Sequence, residues 1–354
     1  MDWIESLVLG LVQGITEFLP VSSDGHLVIT QQLFGWLTGR PHSGEENLFF
    51  DVMLHVGTLA AILVHYRVII VRGLRVLLHG DDADPVLRRA AVVRVLILAI
   101  VATLPLIPLK LFFIDWIKAT FQSLRAAGLG FLVTGVILLL VGIQLRGTEP
   151  ATARGPDQTT WLDALLVGLA QMFAPLPGVS RSGLTIAAAL GLGFSRTWAV
   201  GFSLLIAVPA VGGAAASELK DALKDPAALG LTPDRVAQTL AATIVAGVVG
   251  YVAILWLIRV VRSGRLWYFS VYLFALGLLV LSLASRTGGS PDDRPAKALD
   301  RTAGGGHPGP RAGDAGGRSG RPLDHAGAPG PRPGGPRAGG RVGGASFLQG
   351  PLLG

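Results

Sequence analysis

Four apolar runs constrain this chain more than any other feature: Val92–Phe113, Ala126–Leu145, Ala237–Ile258 and Leu266–Ala284. Each is close to the ~20 residues a helix needs to cross ~30 Å of hydrocarbon. Lipid offers no partner for an open N–H or C=O, so an unalternating run of this length reads as a spanning helix. Composition agrees, with 51% hydrophobic and only 15% charged residues, against roughly 25% charged in soluble chains. The expected fold is an all-α polytopic membrane protein with about six transmembrane helices. Cysteine is absent, which excludes disulfides, thiolate chemistry and Cys-ligated metal. The net charge of +7 lies mostly in short loops and the C-terminal tail, as in membrane proteins generally, so no nucleic-acid partner is expected.

Loop charges set the expected orientation. Tyr66–Arg94 carries Arg67, Arg72, Arg75, Arg88, Arg89 and Arg94; Arg146 and Arg154 lie in a second loop, and Arg259, Arg262 and Arg265 in a third. Placing these loops in the cytoplasm puts both termini outside. Trp36, Trp116, Trp161, Trp198 and Trp267 fall near span ends, where interfacial anchors sit. The apolar pattern stops near Ser285. The 286–354 tail, rich in Gly, Pro and Arg, is expected to be disordered because it offers too little apolar surface to offset its ordering entropy.

Two segments do not fit as spans. Trp3–Leu37 has "LPVSSDGH" at its middle, and Trp161–Phe194 has "PLPGVSRSG". A re-entrant helix–loop–helix accommodates such breaks where a continuous lipid-facing helix does not. The two segments also resemble each other. "GLVQGITEFLPVSSDG" aligns with "GLAQMFAPLPGVSRSG" without a gap at a constant offset of 158 (Gly168 against Gly10). Gly10, Leu11, Gln13, Val21, Ser22 and Gly25 match Gly168, Leu169, Gln171, Val179, Ser180 and Gly183. Three expected crossings separate the copies, and an odd number makes them enter from opposite faces. The pattern is an inverted-topology repeat, about 1–145 and 160–285, whose two re-entrant loops meet near the midplane.

The chemistry gathers at those loops. Gln13 and Glu17 share a helix face at i, i+4. Ser22 or Ser23 caps a helix starting near Asp24, and Ser23 and His26, three apart, are expected to face one cavity. In the second loop Arg181 lies between Ser180 and Ser182, with Pro177 and Gly178 shaping the turn and Thr185 beyond. An arginine fork beside a helix N-terminus and hydroxyls makes an oxyanion nest. This set suits phosphoryl transfer better than acyl transfer. Arg181 would hold phosphate, Glu17 would bind a cation or act as base, Ser23 or water would attack, and His26 would shuttle the proton. His55 and His65 are read as structural or interfacial, Asp51 as an acid behind the site or an interfacial residue, and Gln171 as a helix-joining amide.

"QGITEFLPVSSDGHLVI" and "PGVSRSGLT", with "FFDVMLHVGTLAAIL" and "FSLLIAVPA", closely resemble the bacterial undecaprenyl-diphosphatases associated with bacitracin resistance, over about Met1–Ser285. The resemblance implies a phosphatase of the cytoplasmic membrane acting on a polyprenyl diphosphate lipid, open to the periplasm and using Mg²⁺ or Ca²⁺. It implies catalytic roles for Glu17, Ser23, His26 and Arg181 and metal binding at Gln13 and Glu17. Ser22, Gly178, Ser180, Ser182 and Thr185 would contact substrate. Asp24 stands where such proteins often have Thr; it either strengthens metal dependence or points away. The rival reading is a flippase or transporter of a polyprenyl phosphate, since inverted repeats with broken helices are also transporter architecture. Membrane lipid is the expected surrounding, and the oligomeric state stays open, a homodimer included.

Overall fold

The computed structural model describes residues 2–39, 44–80, 84, 87–121, 123–145, 147, 149–224 and 232–287. Of the tail expected at 286–354, only Arg286 and Thr287, the end of the last helix, fall among them. The described residues form helices and turns, with one isolated bridge between Arg154 and Phe194. The helices are α1 (Trp3–Thr16), α2 (Ser23–Thr38), α3 (Gly44–His65), α4 (Arg67–His79), α5 (Arg89–Thr103), α6 (Leu106–Phe121) and α7 (Leu124–Gln144). After a loop containing a 3-10 turn at Pro156–Gln158 come α8 (Trp161–Gln171), α9 (Arg181–Gly191), α10 (Arg196–Lys224), α11 (Pro233–Arg262) and α12 (Tyr268–Thr287).

Five stretches among the described residues are long and apolar enough to cross a membrane: Arg89–Phe113, Leu124–Gln144, Arg196–Ser217, Pro233–Arg262 and Tyr268–Ser285. Phe49–His65 and Arg67–His79, bent by 71° against each other, make a sixth if counted as one span. The protein is multi-pass. The two broken segments are α1–α2 and α8–α9, and three spans separate them when the bent pair is counted as one, the odd number an inverted repeat requires. Local chemistry sets their ends. Asp2 caps α1 by accepting from Glu5 N at 2.8 Å, and α1 stops before Pro20, which has no N–H to continue a helix. Thr160 and Asp163 cap α8 reciprocally.

The two halves exchange partners. α1 lies along α11, and α8 lies along α5, so the first helix of each broken segment packs on a long span of the other half. Glycine permits both crossings. A Cβ on Gly10 would stand 2.5 Å from Ala242 O, and one on Gly168 would stand 2.3 Å from Ala102 O. α3 packs on α10 and α11, and α7 on α12. The main apolar cluster draws on both halves, with Phe18, Phe131, Ile186, Phe202 and Ile254 fully enclosed.

The polar ends are tied as tightly. Arg196 donates to Leu145 O (2.8 Å), Gly147 O (2.8 Å) and Arg262 O (3.0 Å), so one guanidinium serves the C-terminal ends of α7 and α11. Arg154 pairs with Asp163 and also donates to Leu192 O at 3.1 Å. Trp36 and Trp161 are exposed, as anchors are, but Trp198 is not. Its indole is buried and donates to Thr159 Oγ1 at 2.8 Å, so it is a core residue with its N–H satisfied rather than an interfacial anchor.

The glycine crossings generate a prediction. Gly168→Ala drives a methyl into backbone, and overpacking of that kind costs ~2–3 kcal/mol. An added Cβ at Gly191 meets open space. In detergent, thermal unfolding followed by intrinsic fluorescence is expected to shift down clearly for Gly168→Ala and little for Gly191→Ala.

Candidate active site

Ser22 is the hinge of the first loop. It is the one non-glycine residue at positive φ among the described residues, at +69°, a conformation that stores about 1–3 kcal/mol of strain. Three bonds hold it there. Ser22 Oγ accepts from Gly25 N (3.3 Å), capping α2, while Ser22 O accepts from His26 N (3.3 Å) and His26 Nδ1 (2.7 Å). The turn it makes brings Ser23, the first residue of α2, back over the end of α1.

There Glu17 collects four neighbours. Gln13 Nε2 donates to Oε2 at 2.9 Å, and Ser23 Oγ donates to the same oxygen at 2.6 Å. Arg181 NH2 donates to Oε1 at 2.7 Å. His55 Nε2 stands 3.5 Å from Oε2. The carboxylate is buried, with 5% of its side chain exposed. An anion at that depth is tolerated because it is paired and hydrogen-bonded.

The second loop is built to deliver Arg181. Gly178 has φ +81°, and a Cβ there would lie 2.0 Å from Ala127 O, so only glycine fits. Thr134 on α7 donates to Gly178 O (3.2 Å) and accepts from Ser180 N (3.1 Å). Ser180 Oγ caps α9 by accepting from Gly183 N at 3.0 Å. Ser182 Oγ donates to Leu19 O at 3.0 Å, a direct bond between the two loop tips. The loops therefore touch, as the repeat predicts.

A cavity of about 550 Å³ opens at this junction, lined by Glu17, Ser22, Ser23, Asp24, Asp51, His55, Ser180 and Arg181 at its polar end. Asp24 points in rather than away: it lines the cavity, with Oδ1 3.6 Å from His55 Nε2. His55 was expected to be structural or interfacial, and the structure corrects that reading. Its Nδ1 lies 2.8 Å from Asp51 O. A carbonyl can only accept, so Nδ1 carries the proton and Nε2 is turned toward the two carboxylates. Asp51 takes two bonds from Gln31 Nε2, at 3.0 and 3.3 Å, and lines the same cavity. No periodicity within "FFDVMLHVG" could have shown this, because the contact crosses from α3 to the loops.

Other expected residues lie elsewhere. His26 and Ser23 do not face one cavity. His26 is turned onto Ser22 O, accepts from Tyr272 OH at 2.7 Å and packs edge-on against Phe131, outside the cavity lining. Thr185 Oγ1 donates to Arg181 O (2.9 Å) and meets Ser203 Oγ at 2.6 Å, so it orders the helix that bears the arginine. Gly178 acts through its backbone shape. Gln171, opposite Gln13 in the repeat, lines the cavity and bonds weakly to Ala102 O at 3.4 Å.

Among the described residues three buried atoms around the loop tips have no partner: Arg181 NH1, a donor, and Gln13 Oε1 and Gln171 Oε1, both acceptors. Among the described residues no group of three or more His, Cys, Asp and Glu side chains is arranged to hold a metal. The carboxylates that line the cavity, Glu17 and Asp24, are oxygen donors of the kind a hard divalent cation takes, whereas Gln13 is fully buried and not part of that lining. Mg²⁺ commonly takes one or two carboxylates and completes its shell with water and substrate phosphate.

Fold and site together define a multi-pass helical membrane protein whose two broken segments meet at a buried cluster of arginine, carboxylate and hydroxyl. A family model described as Bacitracin resistance protein BacA matches residues 6–279, and the chain belongs to that family. It is 39% identical over 293 residues to an undecaprenyl-diphosphatase of Desulfosudis oleivorans, covering 81% of this chain and 100% of the relative. The undecaprenyl-diphosphatase of Carboxydothermus hydrogenoformans is 36% identical over 283 residues, 80% of this chain and 98% of its own length. That of a Nocardioides species is 38% identical over 285 residues, 80% and 97% respectively.

The Glu17–Arg181 pair is open to a double-mutant cycle. Removing either partner leaves a buried charge unpaired, a change that costs about 3–5 kcal/mol. Denaturation of Glu17→Gln, Arg181→Gln and the double variant is expected to give a coupling energy above ~1 kcal/mol. Additive losses would show that the pair does not clasp the loops.

Proposed function

We propose that this chain hydrolyses undecaprenyl diphosphate to undecaprenyl phosphate and inorganic phosphate, recycling the lipid carrier of cell-wall synthesis and conferring bacitracin resistance. We place it in the bacterial cytoplasmic membrane with its site open toward the periplasm. The family and the names of its relatives support the reaction. The observation that carries it in the structure is Arg181. One of its nitrogens is fixed on Glu17 and the other is buried without a partner, in a cavity that also holds the Ser23–Glu17 hydrogen bond.

In this reading the free guanidinium nitrogen and the α9 N-terminus receive the terminal phosphate. Ser23 Oγ, already 2.6 Å from Glu17 Oε2, gives its proton to that carboxylate and attacks phosphorus. The new O–P bond forms as the bridging P–O bond breaks, and undecaprenyl phosphate leaves with the electron pair. Water then cleaves the phosphoserine. Arg181 offsets the charge gathered on the equatorial oxygens, where this kind of catalysis is concentrated. His55 and Asp51 hold the far side of the carboxylate pair. A divalent cation, Mg²⁺ or Ca²⁺, belongs to the proposal: Glu17 and Asp24 would hold it, with Gln13 bonded to Glu17 behind them, and it would neutralise diphosphate charge.

Purified protein in detergent, with no gradient and no second compartment, is expected to release phosphate from undecaprenyl diphosphate. A pure flippase would release none. Arg181→Ala and Glu17→Ala should each lower the rate by ~10³-fold or more in protein that still folds; full activity in either overturns the assignment. Ser23→Ala is expected to be comparably inactive, and substantial residual turnover would hand the attack to water. A chelator should remove activity, and added Mg²⁺ or Ca²⁺ should restore it.

A further inference from the structure

α4 is the helix that the crossings do not need. α3 has 22 residues, about 33 Å of helix, which is length enough to span the bilayer alone. α4 turns away from it by 71°, so it runs nearly along the membrane plane when α3 runs across. Its neighbours fix its depth. A Cβ on Gly73, midway along α4, would stand 3.6 Å from Val92 Cγ1. Val92 is in the first turn of α5, where the Arg89–Phe113 span opens. Arg72 Nε lies 3.7 Å from Asp84 Oδ2, and Asp84 Oδ1 accepts from Leu87 N at 3.0 Å, just ahead of that span. α4 is therefore level with the end of one span and the start of the next.

Its sequence, "RVIIVRGLRVLLH", holds three arginines and no acid, and helical spacing sorts it into three faces. Gly73 and Val76 are buried against the protein. Ile70, Val71, Leu74 and Leu78 form an exposed apolar ridge, with Leu74 51% and Leu78 77% accessible. Arg72, Arg75 and His79 follow the third face, also exposed. Arg67 donates back to Val64 O at 2.9 Å and stays out of that row. Arg72 shares its charge with Asp84, and Arg75 projects beyond it. A helix of this pattern sinks its ridge ~5–10 Å into the boundary of headgroups and acyl chains and keeps its cations among the phosphates.

We infer that α4 is an interfacial helix that seats anionic phospholipids: Ile70, Leu74 and Leu78 enter the acyl chains, and Arg75, with Arg72, holds the headgroup phosphates. A zwitterionic headgroup carries its own cation beside the phosphate, so the row of arginines favours lipids of net negative charge. By the loop-charge rule the leaflet is the cytoplasmic one. This surface lies apart from the Glu17–Arg181 centre and does not depend on the reaction proposed there.

The chain has no cysteine, so single introduced cysteines report cleanly in vesicles of phosphatidylglycerol and phosphatidylcholine. Nitroxides at Val71→Cys and Leu78→Cys are expected within ~4 Å of one another in depth, where a helix continuing across the membrane would separate them by ~10 Å. A bimane at Leu74→Cys is expected to be quenched by dibrominated phosphatidylglycerol with ~5-fold higher apparent affinity than by dibrominated phosphatidylcholine. The same label at Val133→Cys, exposed at the middle of α7, should discriminate less than about twofold. Arg72→Gln combined with Arg75→Gln should bring the Leu74 site down to that level. Depths ~10 Å apart, no preference at Leu74, or a preference that survives loss of both arginines overturns the inference. So does a Leu74 label shielded from every lipid, as a second copy seated on the ridge would shield it. Should the double variant not fold, Arg75→Gln alone carries that arm, since it leaves the Arg72–Asp84 pair intact; its preference is expected to fall by about twofold or more, and an unchanged one overturns the inference.

Discussion

One ion pair organises this molecule. Glu17 and Arg181 come from the tips of two separate broken segments, and neither charge is tolerable when buried without the other. The rest of the architecture serves to bring them within 2.7 Å. Ser22 is bent into a left-handed turn to bring Ser23 over Glu17, and Gly178 is pressed onto the α7 backbone to aim Arg181. The pair holds because its remaining bonding capacity is partly met by Gln13 and Ser23. It is unmet at Arg181 NH1, which is buried without a partner.

The repeat is symmetric in scaffold and asymmetric in chemistry. Gln13 and Gln171 occupy equivalent places, both buried, each with an unpartnered carbonyl oxygen. At the place equivalent to Glu17, however, the second copy has Pro175, and opposite Ser23 it has Arg181. One copy carries the acid and the hydroxyl, and the other carries the cation. A transport pathway has use for two interchangeable ends, whereas a reaction centre needs this division of labour.

Much of this was legible in the chain itself. Runs long enough to span, two polar breaks and their shared pattern were enough for two broken segments whose tips meet, and i, i+4 spacing was enough for Gln13 with Glu17. Arg181 declared itself because a cation between two serines in an apolar segment has few other uses. What could not be read was which way a side chain turns once a loop leaves ideal geometry. His26, three residues from Ser23, follows helical spacing onto the same face only if the N-terminus is regular. The strained Ser22 instead offers its carbonyl to that imidazole. His55 and Asp51 were hidden for a different reason: they sit on α3, and their meeting with Glu17 and Asp24 is a contact between distant segments with no local signature. Trp198 misled because span-end position and burial are independent.

The exchanged packing of the halves also bears on how the chain is made. Synthesis runs from the N-terminal side, so α1 and α2 are made while the helix that α1 will lie against, α11, has yet to be translated. Glu17 meets its counter-charge only after 164 further residues have been added. Throughout that interval the nascent hairpin carries an acid with no guanidinium to meet it, and the insertion machinery must shelter it, or the acid must hold its proton, until the ribosome has passed Arg181.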